Sequence, residues 1–236
     1  MVEPLFFQPD LVATKEVVIT GDEAKHAVSV RRMRIGEAIA VTNGKGLKLR
    51  GKVIALDKAS LTLEVFETIQ ETQPELQYVL VQALAKGDRD ELAIQAATEL
   101  GVAAILPWQA TRSVSIWEGK KKETGRARWQ QIVLEAAKQS LRSFVPSVGD
   151  VVTTAELASV LPTFDLVLVL DPTGEKKLRD LKYPVGGKVA IVVGPEGGIS
   201  PEELQKFAGA EIINLGSNVL RTSTAGPAVL AALTLS

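Results

Sequence analysis

The chain has no cysteine and only one histidine, His26. The first absence rules out disulfides and sulfur-ligated metal sites, and the second leaves no histidine-rich metal centre. Missing thiols also narrow covalent chemistry: methylation at carbon 5 of a pyrimidine ordinarily begins with a thiolate adding to the ring. Any methyl transfer would have to be a direct attack by a substrate heteroatom, such as a ring nitrogen or a ribose hydroxyl. Aromatic residues are only 5% of the sequence, and no apolar run approaches the length of a membrane span. The opening Met1-Val-Glu-Pro-Leu-Phe-Phe lacks a signal peptide's basic head, so a cytoplasmic location is the expectation. No sign of charge dominates either, the formal net charge being −1.

What is present is ordinary for a globular protein. The 236 residues, 46% hydrophobic and 23% charged, suffice for one large or two modest domains. The near-neutral balance hides basic blocks. Residues 22–52 carry eight Lys/Arg against three acids, and residues 112–142 carry the same. Either block alone reads as a solvated surface, but two of them around a ligand-binding sheet point to phosphate, hence to RNA. Neither internal repeats nor low-complexity segments occur.

The organising stretch is Lys188-Val-Ala-Ile-Val-Val-Gly-Pro-Glu-Gly-Gly-Ile-Ser-Pro-Glu-Glu203. Val189 to Val193 has the pattern of a parallel strand buried on both faces. Gly194, Gly197 and Gly198 allow positive φ and close approach of a ligand to the backbone. Ser200, Pro201 and Glu203 then predict a helix with a capping box. The loop is neither a P-loop, lacking Gly-Lys-Ser/Thr, nor a dinucleotide fingerprint. Glu196 would repel a phosphate but suit a cationic ligand; a plain strand-to-helix connection is the alternative. A second turn follows: Glu211 to Gly216 reads as a short strand, with Thr222-Ser223-Thr224 as caps for an apolar helix from Ala225 towards Leu235. Two such turns within one βαβ unit face the same sheet edge.

Upstream, Val17–Thr20, Ala38–Thr42, Leu47–Ala55 and Leu61–Phe66 predict a small β-barrel, with a short helix starting within Asp22–His26. Residues 67–77 read as a linker. Tyr78–Ala83 predicts a strand, followed by a helix with Leu92, Ala96 and Leu100 on one stripe and Gly101 past its end. Val102–Leu106 is the next strand. Residues 117–125 read as a charged mobile loop and Trp129–Phe144 as a helix, with Glu135, Gln139 and Arg142 on one polar face. Phe164–Asp171 is a further buried strand. Alternating strands and helices predict a parallel sheet covered on both faces.

The segments VGPEGGIS and LGSNVLRTSTAG and, upstream of both, LAKGDRDELAIQAATELG resemble the RsmE family of SPOUT methyltransferases, which methylate N3 of a uridine in 16S ribosomal RNA. The resemblance runs nearly end to end. It implies an α/β fold: a PUA-like β-barrel that grips RNA over residues 1–72, then a SPOUT domain over 73–236 with a parallel sheet and a C-terminal trefoil knot. It implies S-adenosylmethionine as cofactor, 16S rRNA in the small ribosomal subunit as partner, a homodimer and no metal. The implied cofactor loops comprise Leu170; Gly194, Pro195, Glu196, Gly197 and Gly198; and Leu215, Gly216, Val219, Leu220, Thr222, Ser223 and Thr224.

N3 of uracil becomes nucleophilic once its proton leaves, and a guanidinium near the flanking carbonyls would favour that anion. Arg221, beside the implied cofactor loop, is the first candidate, with Arg112 and Arg142 behind it, and Glu196 completes the catalytic set by offsetting sulfonium charge or orienting the base. RNA contacts are expected from His26, Arg31, Arg32, Lys86, Arg89, Gln139 and Arg142. Packing or capping is the plain alternative for His26, and a solvated helix face for Gln139 and Arg142. One departure stands out: the family commonly has Thr-Glu-Thr-Ala where this chain has Thr222-Ser223-Thr224-Ala225, so no carboxylate is available there. The competing readings are a ribose 2′-O-methyltransferase of the same superfamily, a nucleotide-dependent oxidoreductase and a non-catalytic RNA-binding protein.

Overall fold

The computed structural model describes residues 3–235, and the chain divides into two compact units. The first takes in the chain up to Gln73 together with Ala137–Val145; the second comprises Pro74–Ala136 and Pro146–Ser236. The elements in order are β1 (Leu5–Phe7), β2 (Glu16–Thr20), α1 (Gly21–Lys25), β3 (Ala38–Thr42), β4 (Leu47–Leu56), β5 (Ser60–Gln70), β6 (Leu76–Ala83), α2 (Arg89–Glu99), β7 (Ala104–Gln109), α3 (Lys120–Gln139), β8 (Ser147–Val148), β9 (Val152–Thr153), α4 (Thr154–Val160), β10 (Leu166–Leu170), β11 (Gly187–Val193), α5 (Pro201–Lys206), β12 (Glu211–Ile213) and α6 (Thr222–Thr234).

In the first unit the strand order is β1-β3-β4-β5-β2. The β1–β3 pair is parallel and the rest are antiparallel, so the predicted barrel is a five-stranded half-barrel. Alternation along β2 buries Val17 and Ile19 with Ile39, Val41, Leu49, Leu61 and Leu63, and α1 adds Ala24. Gly51 lies at a register shift between β4 and β5, where a Cβ would run into the Glu64 carbonyl. After α1 the chain widens into one π-helical turn, His26–Val30.

In the second unit the sheet order is β12-β10-β11-β6-β7-β8, with β9 also pairing β7, and every pairing is parallel. The last strands to enter, β11 and β12, flank β10, so the carboxyl ends of β10, β11 and β12 open side by side. Val189 to Val193 is buried throughout, as expected of a strand paired and covered on both sides. Among the described residues no helix is long and apolar enough to cross a membrane.

Several local expectations shift. The stripe of α2 that faces inward is Asp90, Ala93, Ile94, Ala97 and Thr98, while Leu92 is half exposed. β5 runs on to Gln70, where Leu47 pairs with Gln70, which shortens the predicted linker to residues 71–75. Residues 117–125 are not a loop throughout, since α3 starts at Lys120. The reason is aromatic: Gly125 leaves room for the Trp117 indole, which packs edge-on against Trp129 at 5.1 Å. α3 stops at Gln139 in a Schellman turn, with Arg142 N–H donating to Ala137 O and Leu141 N–H to Lys138 O. Leu141 takes the left-handed position (φ 59°), so Arg142 leaves the helix and does not share a helical face with Glu135 and Gln139. The apolar α6 buries Ala225, Val229 and Leu230 and leaves Ala232 exposed.

The half-barrel's bulge yields a stability test. Gly51→Ala forces apart two backbone segments rather than a flexible side chain, and is expected to cost about 1–3 kcal/mol. Chemical denaturation of both proteins measures it; a variant as stable as the parent would show that β4 and β5 separate freely there.

Candidate active site

Three loops leave the carboxyl edge of the second unit's sheet and enclose a cleft, the usual ligand position in an open α/β sheet. After β10 come Asp171 and Pro172; after β11, Gly194 to Ile199; after β12, Asn214 to Arg221, leading into α6. A cavity of about 390 Å³ lies among the three loops, within the range of small-molecule sites. A smaller recess of about 70 Å³ adjoins it, lined by Ile213 to Gly216 and Asn218. Leu170, Val219, Leu220 and Ala225 wall both spaces.

Local chemistry explains the shape. At Gly194 a Cβ would come within 2.6 Å of Ile199 Cγ1, so only glycine lets the turn close on that side chain. Gly198 sits at φ 71°, a conformation other residues rarely adopt. Its N–H donates to Pro195 O at 2.9 Å. The predicted capping box is present, with Ser200 and Glu203 each accepting from the other's backbone N–H. Glu203 does more than cap. Its buried carboxylate accepts from Thr111 N–H at 2.8 Å and the Thr154 hydroxyl at 2.7 Å, and Trp108 Nε1 donates to that same hydroxyl at 3.2 Å. Burial opposes the charge, but the Thr111 and Ser200 N–H groups and the Thr154 hydroxyl outweigh it and hold the carboxyl below its ordinary range. The next residue after Thr111, Arg112, donates to Gly197 O at 3.0 Å, so Glu203 fixes both ends of the glycine turn's support.

The charged groups at the rim are organised. Glu196 accepts from Arg89 Nη1 at 2.9 Å and from Lys86 N–H at 3.1 Å. Partial burial works against its charge, yet its own N–H, that of Lys86 and the Arg89 guanidinium together keep its pKa lowered. It is therefore an ionised, engaged carboxylate and a poor proton acceptor at neutral pH. Arg221 caps α6 in an extended conformation, lines the cavity and is exposed.

Of the residues singled out in the sequence, Leu170, Gly194, Pro195, Glu196, Gly198, Leu215, Gly216, Val219, Leu220, Arg221, Thr222 and Arg89 line these spaces. Gly197 contributes its carbonyl to Arg112, and Lys86 its N–H to Glu196. Ser223 and Thr224 lie in the first turn of α6 but are not among the lining residues. His26, Arg31, Arg32, Gln139 and Arg142 belong to the first unit. Sequence reasoning passed over Gln82, fully buried at the end of β6, whose Nε2 donates to the Thr222 hydroxyl at 2.8 Å and anchors the third loop. The one signal was a polar residue closing an apolar strand. It also passed over Asp171, a buried carboxylate that accepts from Thr173 N–H and hydroxyl. Among the described residues no cluster of three or more metal-ligating side chains occurs.

Glu203 supplies a pH-dependent prediction. In Glu203→Gln an amide NH₂ would face the Thr111 or Ser200 N–H, and the loss is expected to be about 1–3 kcal/mol. Because the folded carboxyl titrates below the ordinary carboxylate range, its stabilisation is complete above that range and fades as pH falls through the lowered pKa. Thermal unfolding from pH 7 to 3 should show the gap between parent and variant narrowing in acid; a gap constant with pH would remove the charge from the explanation.

Comparison with known proteins matches this architecture along the chain. The model of an RNA methyltransferase domain matches residues 72–234, and that of an RNA methyltransferase PUA domain matches residues 19–66. Ribosomal RNA small subunit methyltransferase E of Mycobacterium bovis is 39% identical over 99% of this chain and 92% of its own length. The Bacillus subtilis protein of that name is 33% identical over 91% and 88%. A crystal structure of ribosomal RNA small subunit methyltransferase E from Neisseria gonorrhoeae, bound to S-adenosyl methionine, superposes with a TM-score of 0.90 at 30% identity, covering 99% of this chain and 98% of that one. With a PUA-like half-barrel, a parallel-sheet RNA methyltransferase domain and relatives matched over nearly its whole length, the chain belongs to the ribosomal RNA small subunit methyltransferase E family.

Proposed function

We propose that this protein is a 16S rRNA (uracil-N3)-methyltransferase that uses S-adenosylmethionine and acts in the cytoplasm on the small ribosomal subunit. The observation that carries the reading is the convergence of three strand-end loops on one cleft, walled by apolar side chains and rimmed by an ionised Glu196 and the exposed Arg221. The residues fit the cofactor. Leu170, Val193, Ile199, Leu220 and Ala225 offer apolar faces to a flat purine, the glycine turn offers bare backbone, and Glu196 and Asp171 provide negative charge for a sulfonium and an ammonium. When bound, S-adenosylmethionine supplies an electrophilic methyl group. The trefoil knot of the family is proposed for the chain between β10 and α6.

The chain's own residues do the rest. Arg89 keeps the Glu196 carboxylate aimed and charged. Arg112, braced through Thr111 on Glu203, steadies the turn. Arg221, exposed in the cavity lining, stabilises in this reading the negative charge that spreads over the uracil carbonyls as the N3 proton departs to water. Thr222, bonded to Gln82, starts α6 beside it. With Glu196 tied up and Ser223 carrying no charge, the mechanism rests on electrostatics and positioning rather than on a strong general base. A ribose methyltransferase would share the cofactor loops, but relatives bearing the small-subunit methyltransferase E name over the full chain favour the uracil reading.

A homodimer is proposed as the working form. α6 packs along α2, and Leu92 on α2, Ala232 on α6 and Leu235 just past α6 are exposed apolar residues that a second copy would cover. Ala232→Glu is expected to shift the protein from dimer to monomer in sedimentation; a parent that sediments as a monomer removes this part of the proposal.

The activity is tested by methyl transfer from labelled S-adenosylmethionine to small subunits and to naked 16S RNA, with the modified nucleoside identified by mass. N3-methyluridine is expected, and 2′-O-methylated product would favour the rival. Arg221→Ala is expected to lower kcat on the order of 10²-fold, as for loss of one preorganised charge-stabilising group. An unchanged kcat would take Arg221 out of the reaction.

A further inference from the structure

The first unit contains a cavity of about 180 Å³ lined by Glu3, Pro4, Leu5, Phe6, His26, Arg31, Lys138, Gln139 and Leu141. Two helix ends meet at it. The π turn that begins at His26 closes with Arg31 N–H on His26 O, and α3 closes through Leu141. Both ends are finished by a non-glycine residue in the left-handed region, Arg32 at φ 54° and Leu141 at φ 59°, and no other non-glycine residue has positive φ among those described. Glycine is the cheap solution at such a helix end. Strain kept at two positions beside one cavity, together with a π turn, marks a surface whose side chains are needed where they stand.

The cavity's charges tell what fits. Lys138, buried in its lining, is paired with Glu23 at 2.7 Å, and Glu23 also accepts from Phe7 N–H. Glu3 is held by Arg50 through two bonds of 2.8 Å. Two helix carboxyl ends add negative partial charge. The interior therefore favours hydrogen-bond donors over an anion, while Arg31 and Gln139 stand exposed at the mouth. Leu5, Phe6 and Leu141 supply apolar surface and His26 a flat ring, edge-on to Phe6 at 6.3 Å. A free phosphate matches only the mouth; a base with N–H groups on its edge and a phosphate attached matches both.

We infer that this cavity holds one unstacked RNA nucleotide, its base inside against Leu141 and His26 and its phosphate on Arg31. Single-stranded RNA is recognised in this manner, by taking a base out of the stack and clamping its backbone. The inference rests on the RNA methyltransferase reading and adds to it a nucleotide subsite in the half-barrel unit.

The test uses the full-length protein with S-adenosylmethionine and a small-subunit rRNA substrate, comparing Arg31→Ala, Leu141→Gly and Lys25→Ala. Lys25 is a control: an exposed cation of the same unit that does not line the cavity. Arg31→Ala and Leu141→Gly should each raise KM for RNA on the order of tenfold, with the Kd for S-adenosylmethionine unchanged. Arg31→Ala should lower the slope of log affinity against log salt by about 1, and Leu141→Gly should leave that slope alone while keeping the parent's circular dichroism. If Lys25→Ala weakens RNA as much as Arg31→Ala, or if Leu141→Gly binds RNA like the parent, the unit acts through a diffuse field and the subsite is wrong. A parent that transfers no methyl group to RNA would instead overturn the functional reading itself.

Discussion

The second unit depends on where β11 sits. It is bonded in parallel along five residues to β10 and along seven to β6, and its core from Val189 to Val193 is buried throughout. A strand so enclosed has no freedom of register, since a slip of one residue would reverse every side chain. The glycine turn that follows is consequently delivered to a fixed point, beside the ends of β10 and β12. Nothing in the cleft has to be positioned by the loops alone.

The loops are then locked by buried polar groups rather than by apolar packing. Glu203 binds the chain after β7 to the start of α5 and, through Thr154, to Trp108. Gln82 does the same between β6 and α6. Buried polar groups are costly unless satisfied, so each of these contacts resists partial opening. Arg221, at the rim, remains exposed to solvent. Rigid inside and charged outside is a sensible division for a site that must hold a small cofactor and admit RNA.

The first unit follows a different rule. Its strands make a half-barrel whose two terminal strands, β1 and β2, do not pair, and its chemistry gathers where two helices end. There, local backbone preference is overridden: leucine and arginine occupy positions that glycine fills most easily. Such conflicts between local and tertiary preference tend to sit at functional surfaces.

Much of this was legible in the chain itself. The buried strand at Val189–Val193, the Ser200–Glu203 capping box and the alternation of β and α elements follow from period, turn chemistry and caps, which are local properties. The resemblance carried by the late glycine loops points to the family from residues alone. What sequence could not decide was long-range. The face of α2 that turns inward depends on what lies beneath it, so Leu92 was misplaced and Asp90 overlooked. The helical start of α3 at Lys120 depends on two tryptophans meeting over Gly125. Its end depends on Leu141 accepting a strained conformation, and with it the fate of Arg142. The engagement of Glu196 by Arg89 joins residues 107 apart in the chain, and that of Gln82 by Thr222 spans 140. Residue types and spacings determined which chemistry was available; only tertiary packing, which alone fixes contacts between distant segments, decided which of those groups are spent on each other and which are left for a ligand.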